Sequence, residues 1–94
     1  MKYLEIYGIT KEEYDNMFEQ QNGLCKICEN PESRMSRCGT RTTNLSVDHC
    51  HLTNVVRGLL CFDCNTGLGK FKDSQKLLHK AALYLNETQK EKVA

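Results

Sequence analysis

The chain has no Trp, one Pro and only 7% aromatic residues in 94 positions, so large apolar anchors are scarce. With 39% hydrophobic residues it can form one small domain, and a domain of that size buries too little surface to be held by packing alone. No apolar run approaches the roughly 18–20 residues needed to cross a bilayer, so no membrane partner is expected. The opening segment MKYLEIYGITKEEYD lacks an extended apolar stretch, so no secretory signal is visible. These shortages argue against a multidomain enzyme, a membrane protein and a bundle of bare helices. A staple is required, and six cysteines are present to provide it.

Without a secretory signal, a reducing cytoplasm is the expected compartment, where paired cysteines usually bind metal and disulfides are rare. Cys25-Lys26-Ile27-Cys28 and Cys61-Phe62-Asp63-Cys64 are two C-x-x-C knuckles, a ligand set suited to tetrahedral zinc. Spacing alone also admits an iron site with four thiolates. A thioredoxin-like redox role would need one pair and a βαβ frame, and neither condition is met. Cys38, in a polar stretch, and Cys50, between two histidines, read as small side chains without an assigned task. The alternative is that one replaces a knuckle ligand or that the two pair under oxidation.

A net charge of +1 indicates no partner, but its distribution is uneven. Residues 1–32 are net −4, residues 33–80 are net +5, and the remainder is neutral. A basic half beside an acidic one is compatible with a face that meets phosphates, and equally with an ordinary solvated surface.

Thr10 with Glu13 reads as a capping box opening a helix, Tyr14, Met17 and Phe18 form its apolar stripe, and Asn22-Gly23 closes it. This helix is expected to pack over the metal site. Residues 29–44, with the only Pro and many Ser, Thr and Asn, read as a loop whose three arginines either reach nucleic-acid backbone or are simply solvated. Leu45–Asp48 and Val55–Leu60 are β-compatible runs joined by a polar turn, which predicts a hairpin. A short helix is expected from Asn65. A last helix, capped by Asp73 or Ser74, carries Leu78, Ala81, Ala82 and Leu85 on one face, with a fraying tail from Asn86. Thirty-two residues separate Cys28 from Cys61, so a metal there would clamp the base of the hairpin against the following helix. The expected organisation is a single domain over 1–94: a helical segment 1–24, a zinc-clamped core 25–72, a helix 73–86 and a tail 87–94.

Asp48-His49-Cys50-His51 is the densest cluster of functional side chains. In a regular strand His49 and His51 share one face while Asp48 points the other way, so convergence demands a bend or bulge near His49. A carboxylate suits Mg²⁺, an imidazole is a natural base for activating water, and Asn65 offers an amide oxygen. Together these are tools for phosphodiester hydrolysis. The plainer reading makes Asp48 a turn or cap residue, the histidines supplementary zinc donors and Asn65 a helix cap.

The chain resembles the phage recombination endonuclease VII family, a branch of the HNH (His-Me finger, ββα-metal) nucleases. The resemblance rests on Tyr7-Gly8-Ile9-Thr10 with Glu13-Tyr14-Asp15, Gln21-Asn22-Gly23 before the first knuckle, Val47-Asp48-His49-x-His51, and Val56-Arg57-Gly58-Leu59-Leu60-Cys61-x-x-Cys64-Asn65. Gly67-Leu68-Gly69 and Ala81-x-x-Tyr84-Leu85 extend it, so that it covers about residues 5–86. It implies a small α+β zinc-stapled domain with a ββα-metal hairpin–helix core flanked by N- and C-terminal helices. It also implies structural Zn²⁺ on Cys25, Cys28, Cys61 and Cys64, His49 as the base, and Asp48 with Asn65 holding catalytic Mg²⁺ or Mn²⁺. His51 would contact phosphate or shape the site, and Arg57 would contact the DNA backbone or serve the hairpin.

The implied protein is a phage-encoded DNA endonuclease of the bacterial host cytoplasm that leaves 5′-phosphate and 3′-hydroxyl ends. Branched or nicked DNA is among its candidate substrates, and a homodimer is compatible with the family. Two features depart from the pattern: the polar loop is longer, and Cys50 stands where Asp is frequent. Family members carry further C-terminal helices for dimerisation and branched-DNA recognition, so nicking or double-strand cutting is the expectation here rather than junction resolution. The competing readings are a zinc-stabilised nucleic-acid-binding module without catalysis and a structural zinc domain that binds protein. With no aromatic strip for stacking bases, recognition would run through backbone charge and shape.

Overall fold

The structure, a computed structural model, describes residues 8–89. Tyr7 and the end of the 87–94 tail lie outside them. Helix α1 spans Lys11–Gln20 and opens on the expected capping box. The Glu13 N–H donates to Thr10 Oγ1 at 3.1 Å, and the Thr10 N–H donates to Glu13 Oε1 at 2.9 Å. After Gln20 the chain reverses through Asn22 and Gly23, both left-handed (φ 56° and 72°), and the Gly23 N–H returns to the Phe18 carbonyl. Gly23 is needed twice over: its φ suits glycine, and a Cβ there would come within 3.1 Å of the Phe18 ring.

Strands β1 (Ser46–His49) and β2 (Val56–Leu60) pair antiparallel as the expected hairpin. Helix α2 covers Phe62–Lys70 and packs against β1. It starts three residues before the position expected from sequence, because the second knuckle is its own first turn. Cys61 is the N-cap, its sulfur accepting the Cys64 N–H at 3.4 Å. Gly67 and Gly69 weaken this helix intrinsically, but Asp63 and Lys70 suit its dipole and packing on β1 outweighs propensity. Helix α3 runs Gln75–Gln89, past the point where fraying was expected. Its apolar residues Leu77, Leu83 and Leu85 are exposed.

Helix α1 packs against β2, and its Tyr14 shares the buried core with Cys25 and Cys61. The link is made at its end by Gln21, whose amide satisfies both backbone groups of Leu59: Nε2 donates to the carbonyl at 2.9 Å and Oε1 accepts the N–H at 3.0 Å. This side chain, with the Lys26 N–H that also donates to the Leu59 carbonyl at 3.1 Å, takes the place of a third strand. Tyr14 is buried, and its hydroxyl donates to the Leu45 carbonyl at 2.6 Å, fixing α1 to the start of the hairpin. The core comprises Ile9, Tyr14, Cys25, Leu45, Leu59, Leu60 and Cys61, with Met17, Val47, Val56, Cys64 and Leu68 against it. Two of its members are metal-type ligands, as expected of a fold too small to rely on apolar packing.

Residues 29–44 form a finger closed by one bridge, Met35 to Thr42. Glu32 anchors its base to α2 by accepting the Phe62 N–H at 2.8 Å, and the Arg34 guanidinium lies over the Phe62 ring.

Candidate functional site

Cys25, Cys28, Cys61 and Cys64 converge, with all four sulfurs within 4.8 Å of one another. Zinc–sulfur bonds of about 2.3 Å in a tetrahedron place sulfurs about 3.8 Å apart, and Cys28 Sγ lies 3.8 Å from Cys61 Sγ. The cluster therefore has the dimensions of a zinc site, and Cys38 and Cys50 lie outside it. Burial pushes the Cys25 thiol up, but N–H donors from Cys61, Cys28 and Ile27 outweigh this and bring it down to about 6. Burial and the neighbouring sulfurs push Cys61 and Cys64 up instead. One thiolate forms readily and the next ones resist, a conflict that a divalent cation among the four sulfurs removes.

On the hairpin, Ser46 pairs with Leu60, Val47 with Leu59 and Asp48 with Gly58, but His49 pairs with Val56. Arg57 is passed over, so the irregularity demanded near His49 is present and its extra residue belongs to β2. In a regular ladder Arg57 would oppose His49 and share its face. Bulged, it turns instead to Asp48. Its Nε donates to Asp48 Oδ2 at 2.7 Å and its Nη2 to Oδ1 at 3.0 Å, a bidentate pair. Asp48 is only 7% exposed. The hydrogen bond to Asp48 raises the pKa of Arg57 above its ordinary value.

Asp48 and Arg57 line a cavity of about 270 Å³ with Lys26, Gly58 and, from α2, Leu68. A larger groove of about 500 Å³ runs along the finger past Arg41 and Asn44 to Val47, but no carboxylate or imidazole lines it. The smaller cavity is lined by the Asp48 carboxylate and by the basic side chains of Lys26 and Arg57.

His49 is half-buried at the end of β1. Its Nε2 is the ring atom nearest Gly8, 3.0 Å from where a Cβ would stand on that glycine, so Nδ1 lies on the far side of the ring. Gly8 has φ 74°, which glycine adopts without strain. His51 lies beyond β1 in the turn, 75% exposed, with Nε2 3.1 Å from Asp73 Oδ2. Asn65 is half-buried on α2, directly after Cys64. The fold thus joins Asp48 to Arg57 and His51 to Asp73, and brings the helix bearing Asn65 onto the strand bearing Asp48 and His49.

Sequence reasoning missed the contacts of Asp73 with Arg57 and His51, and one signal was available. Asp73 and Ser74 are adjacent capping candidates, only one of which can cap the helix.

An oxygen-preferring ion is compatible with this donor set. A carboxylate has about four lone-pair positions, and the Arg57 fork uses two of those on Asp48. Mg²⁺ is typically held by one or two protein oxygens, with water and phosphate completing its shell.

The family model for recombination endonuclease VII matches residues 1–87. The Gene 59 protein of Mycobacterium phage D29 is 42% identical over 87 residues, covering 92% of this chain and 48% of its own length. The Gene 59 protein of Mycobacterium phage L5 is 41% identical over 85 residues, covering 89% of this chain and 48% of its own. The chain therefore spans about half the length of these relatives. No solved structure matches it. No described helix is long and apolar enough to cross a membrane. The match runs through both knuckles, the bulged hairpin and the helices on either side, and the chain belongs to the recombination endonuclease VII family.

Proposed function

We propose that the chain is an HNH-type DNA endonuclease that hydrolyses phosphodiester bonds and leaves 5′-phosphate and 3′-hydroxyl ends, on duplex DNA that includes branched or nicked forms. The observation that carries this reading is the pairing of adjacent residues at the bulge: a buried carboxylate, Asp48, beside an imidazole, His49, whose Nε2 end is seated against Gly8.

Seating Nε2 leaves Nδ1 to take the proton of an attacking water. The water oxygen bonds to phosphorus, the bond from phosphorus to the 3′-oxygen breaks, and that oxygen leaves with a proton from solvent. Asp48 and Asn65 are the oxygen donors that would hold Mg²⁺ or Mn²⁺, which when bound supplies positive charge to the phosphate. Arg57 holds Asp48 in place and lies 38% exposed beside the same cavity, adding positive charge near a docked backbone. The cysteine cluster is the structural zinc site, fixing α2 to the hairpin so that these groups keep their spacing.

One observation favours a second reading. Both Asp48 oxygens accept from Arg57, as a purely structural ion pair would, which fits a zinc-stabilised nucleic-acid-binding module without catalysis. Incubating supercoiled plasmid with the protein in Mg²⁺ or in EDTA separates the two. The endonuclease nicks in Mg²⁺ only, and His49→Ala abolishes nicking while zinc content and DNA binding persist. Binding without cleavage under every condition, or cleavage undiminished in His49→Ala, would overturn the proposal.

A further inference from the structure

We propose that Asp73 is a positioning residue for this site, holding His51 and, through Arg57, the carboxylate of Asp48; the inference rests on the endonuclease reading above. Asp73 stands at the junction of α2 and α3, where its ordinary task would be to cap α3. That task is taken by Ser74, whose Oγ accepts the Leu77 N–H at 3.1 Å. The Asp73 N–H is also committed, donating to the Leu68 carbonyl at the end of α2. Its carboxylate therefore serves neither helix.

Instead Oδ2 reaches back across the hairpin. It accepts from Arg57 Nη2 at 3.3 Å and lies 3.1 Å from His51 Nε2. Nη2 is the same nitrogen that donates to Asp48 Oδ1 at 3.0 Å, so one guanidinium nitrogen bridges two carboxylates. With Nη2 held from both sides, the Arg57 plane cannot rotate away from Asp48, and the Asp48 carboxylate keeps one orientation towards the cavity. His51, in the exposed turn, is docked by the same Asp73 oxygen onto the edge of the site.

A role in stability alone accounts poorly for this arrangement. The His51 side chain is 75% exposed, and ion pairs at such positions contribute little to folding. The Asp73 side chain, by contrast, is 17% exposed. It is also delivered by two consecutive left-handed non-glycine residues, Lys72 (φ 57°) and Asp73 (φ 55°). Strained backbone of this kind collects where a side chain must be aimed. Outer partners that hold a metal-ligating side chain in place typically matter by about 10–100-fold in metal affinity or activity.

The test compares Asp73→Asn, Asp73→Ala and Ser74→Ala with wild type in steady-state cleavage of plasmid DNA in Mg²⁺. Thermal unfolding, zinc content and the Arg57 Nε–H resonance of the zinc-loaded protein without Mg²⁺ are measured alongside. Asp73→Asn, which is isosteric, is expected to lower kcat about tenfold with KM within twofold, and to shift or broaden the Arg57 Nε–H signal. Asp73→Ala should do the same more strongly. Ser74→Ala should lower the melting temperature while leaving kcat unchanged, which separates loosening of the junction from loss of positioning.

A kcat within twofold of wild type in Asp73→Asn, an unmoved Arg57 signal, an equal loss of kcat in Ser74→Ala, or an Asp73→Asn protein that no longer folds would each overturn the proposal. If His49→Ala abolishes cleavage and Asp73→Asn does not reduce it, only this inference falls. If wild type does not cleave, or cleaves independently of His49, the endonuclease reading beneath it falls as well.

Discussion

Arg57 grips both carboxylate oxygens of Asp48 because β2 contains one more residue than β1 can pair. The bulge converts a residue due on the His49 face into the partner of the only buried acid among the described residues. Removing Arg57 should therefore cost more than a surface ion pair. Arg57→Ala is expected to destabilise the fold by roughly 1–3 kcal/mol, since a desolvated charge loses its donors. Arg57→Lys should recover only part of this, lacking the planar fork. In urea unfolding, a double-mutant cycle with Asp48→Ala should show strong coupling, the double variant being more stable than the single values summed.

Gly8→Ala should act on His49 without touching it chemically. The added Cβ would stand 3.0 Å from Nε2 on a left-handed backbone. Strain of roughly 1–2 kcal/mol is expected from the backbone, and the ring must retreat by a few tenths of an ångström. Cleavage should fall while zinc content stays at wild-type level, measured as kcat beside metal analysis. Unchanged kcat with a shifted melting temperature would mean that the seat of Nε2 has no part in the reaction.

Zinc removal should unfold the chain, because two core residues are cluster sulfurs. Cys25→Ser and Cys64→Ser should both lose zinc and ordered structure by circular dichroism. The pH dependence has a definite sign. With the four sulfurs gathered as in the fold, burial and the neighbouring cysteines push Cys61 and Cys64 above the ordinary thiol range, so zinc must expel their protons as it assembles the cluster. Zinc affinity should rise with pH and fall on acidification, read with a chromophoric chelator at pH 8 and pH 6.

Tyr14→Phe tests the tie between α1 and the hairpin. It deletes the hydroxyl that donates to the buried Leu45 carbonyl at 2.6 Å. A loss of roughly 1–3 kcal/mol is expected in denaturant unfolding. A loss near zero would show that water replaces the hydroxyl.

Much of the fold can be read in order along the chain, since it rests on local chemistry. Thr10 and Glu13 satisfy each other within one turn, Asn22-Gly23 tolerates the left-handed backbone that closes α1, and each C-x-x-C knuckle is a local geometry. The start of α2 was misplaced because Cys61 is read as a ligand, and nothing in its spacing announces that its sulfur also caps a helix. The adjacency of Asp48 and His49 is likewise plain in the sequence, as is the need for an irregularity beside them.

Residue order could not say which strand would contain the extra residue, because a ladder's register depends on both partners at once. That choice sent Arg57 to Asp48. The same holds for Gln21 completing the edge of β2, Gly8 seating His49, and Asp73 reaching His51 across 22 positions of chain. Local identity sets caps, turns and ligand types through interactions within a few bonds. The alliances among charged groups form only when distant segments pack, since their energies depend on burial and on which donors come within reach.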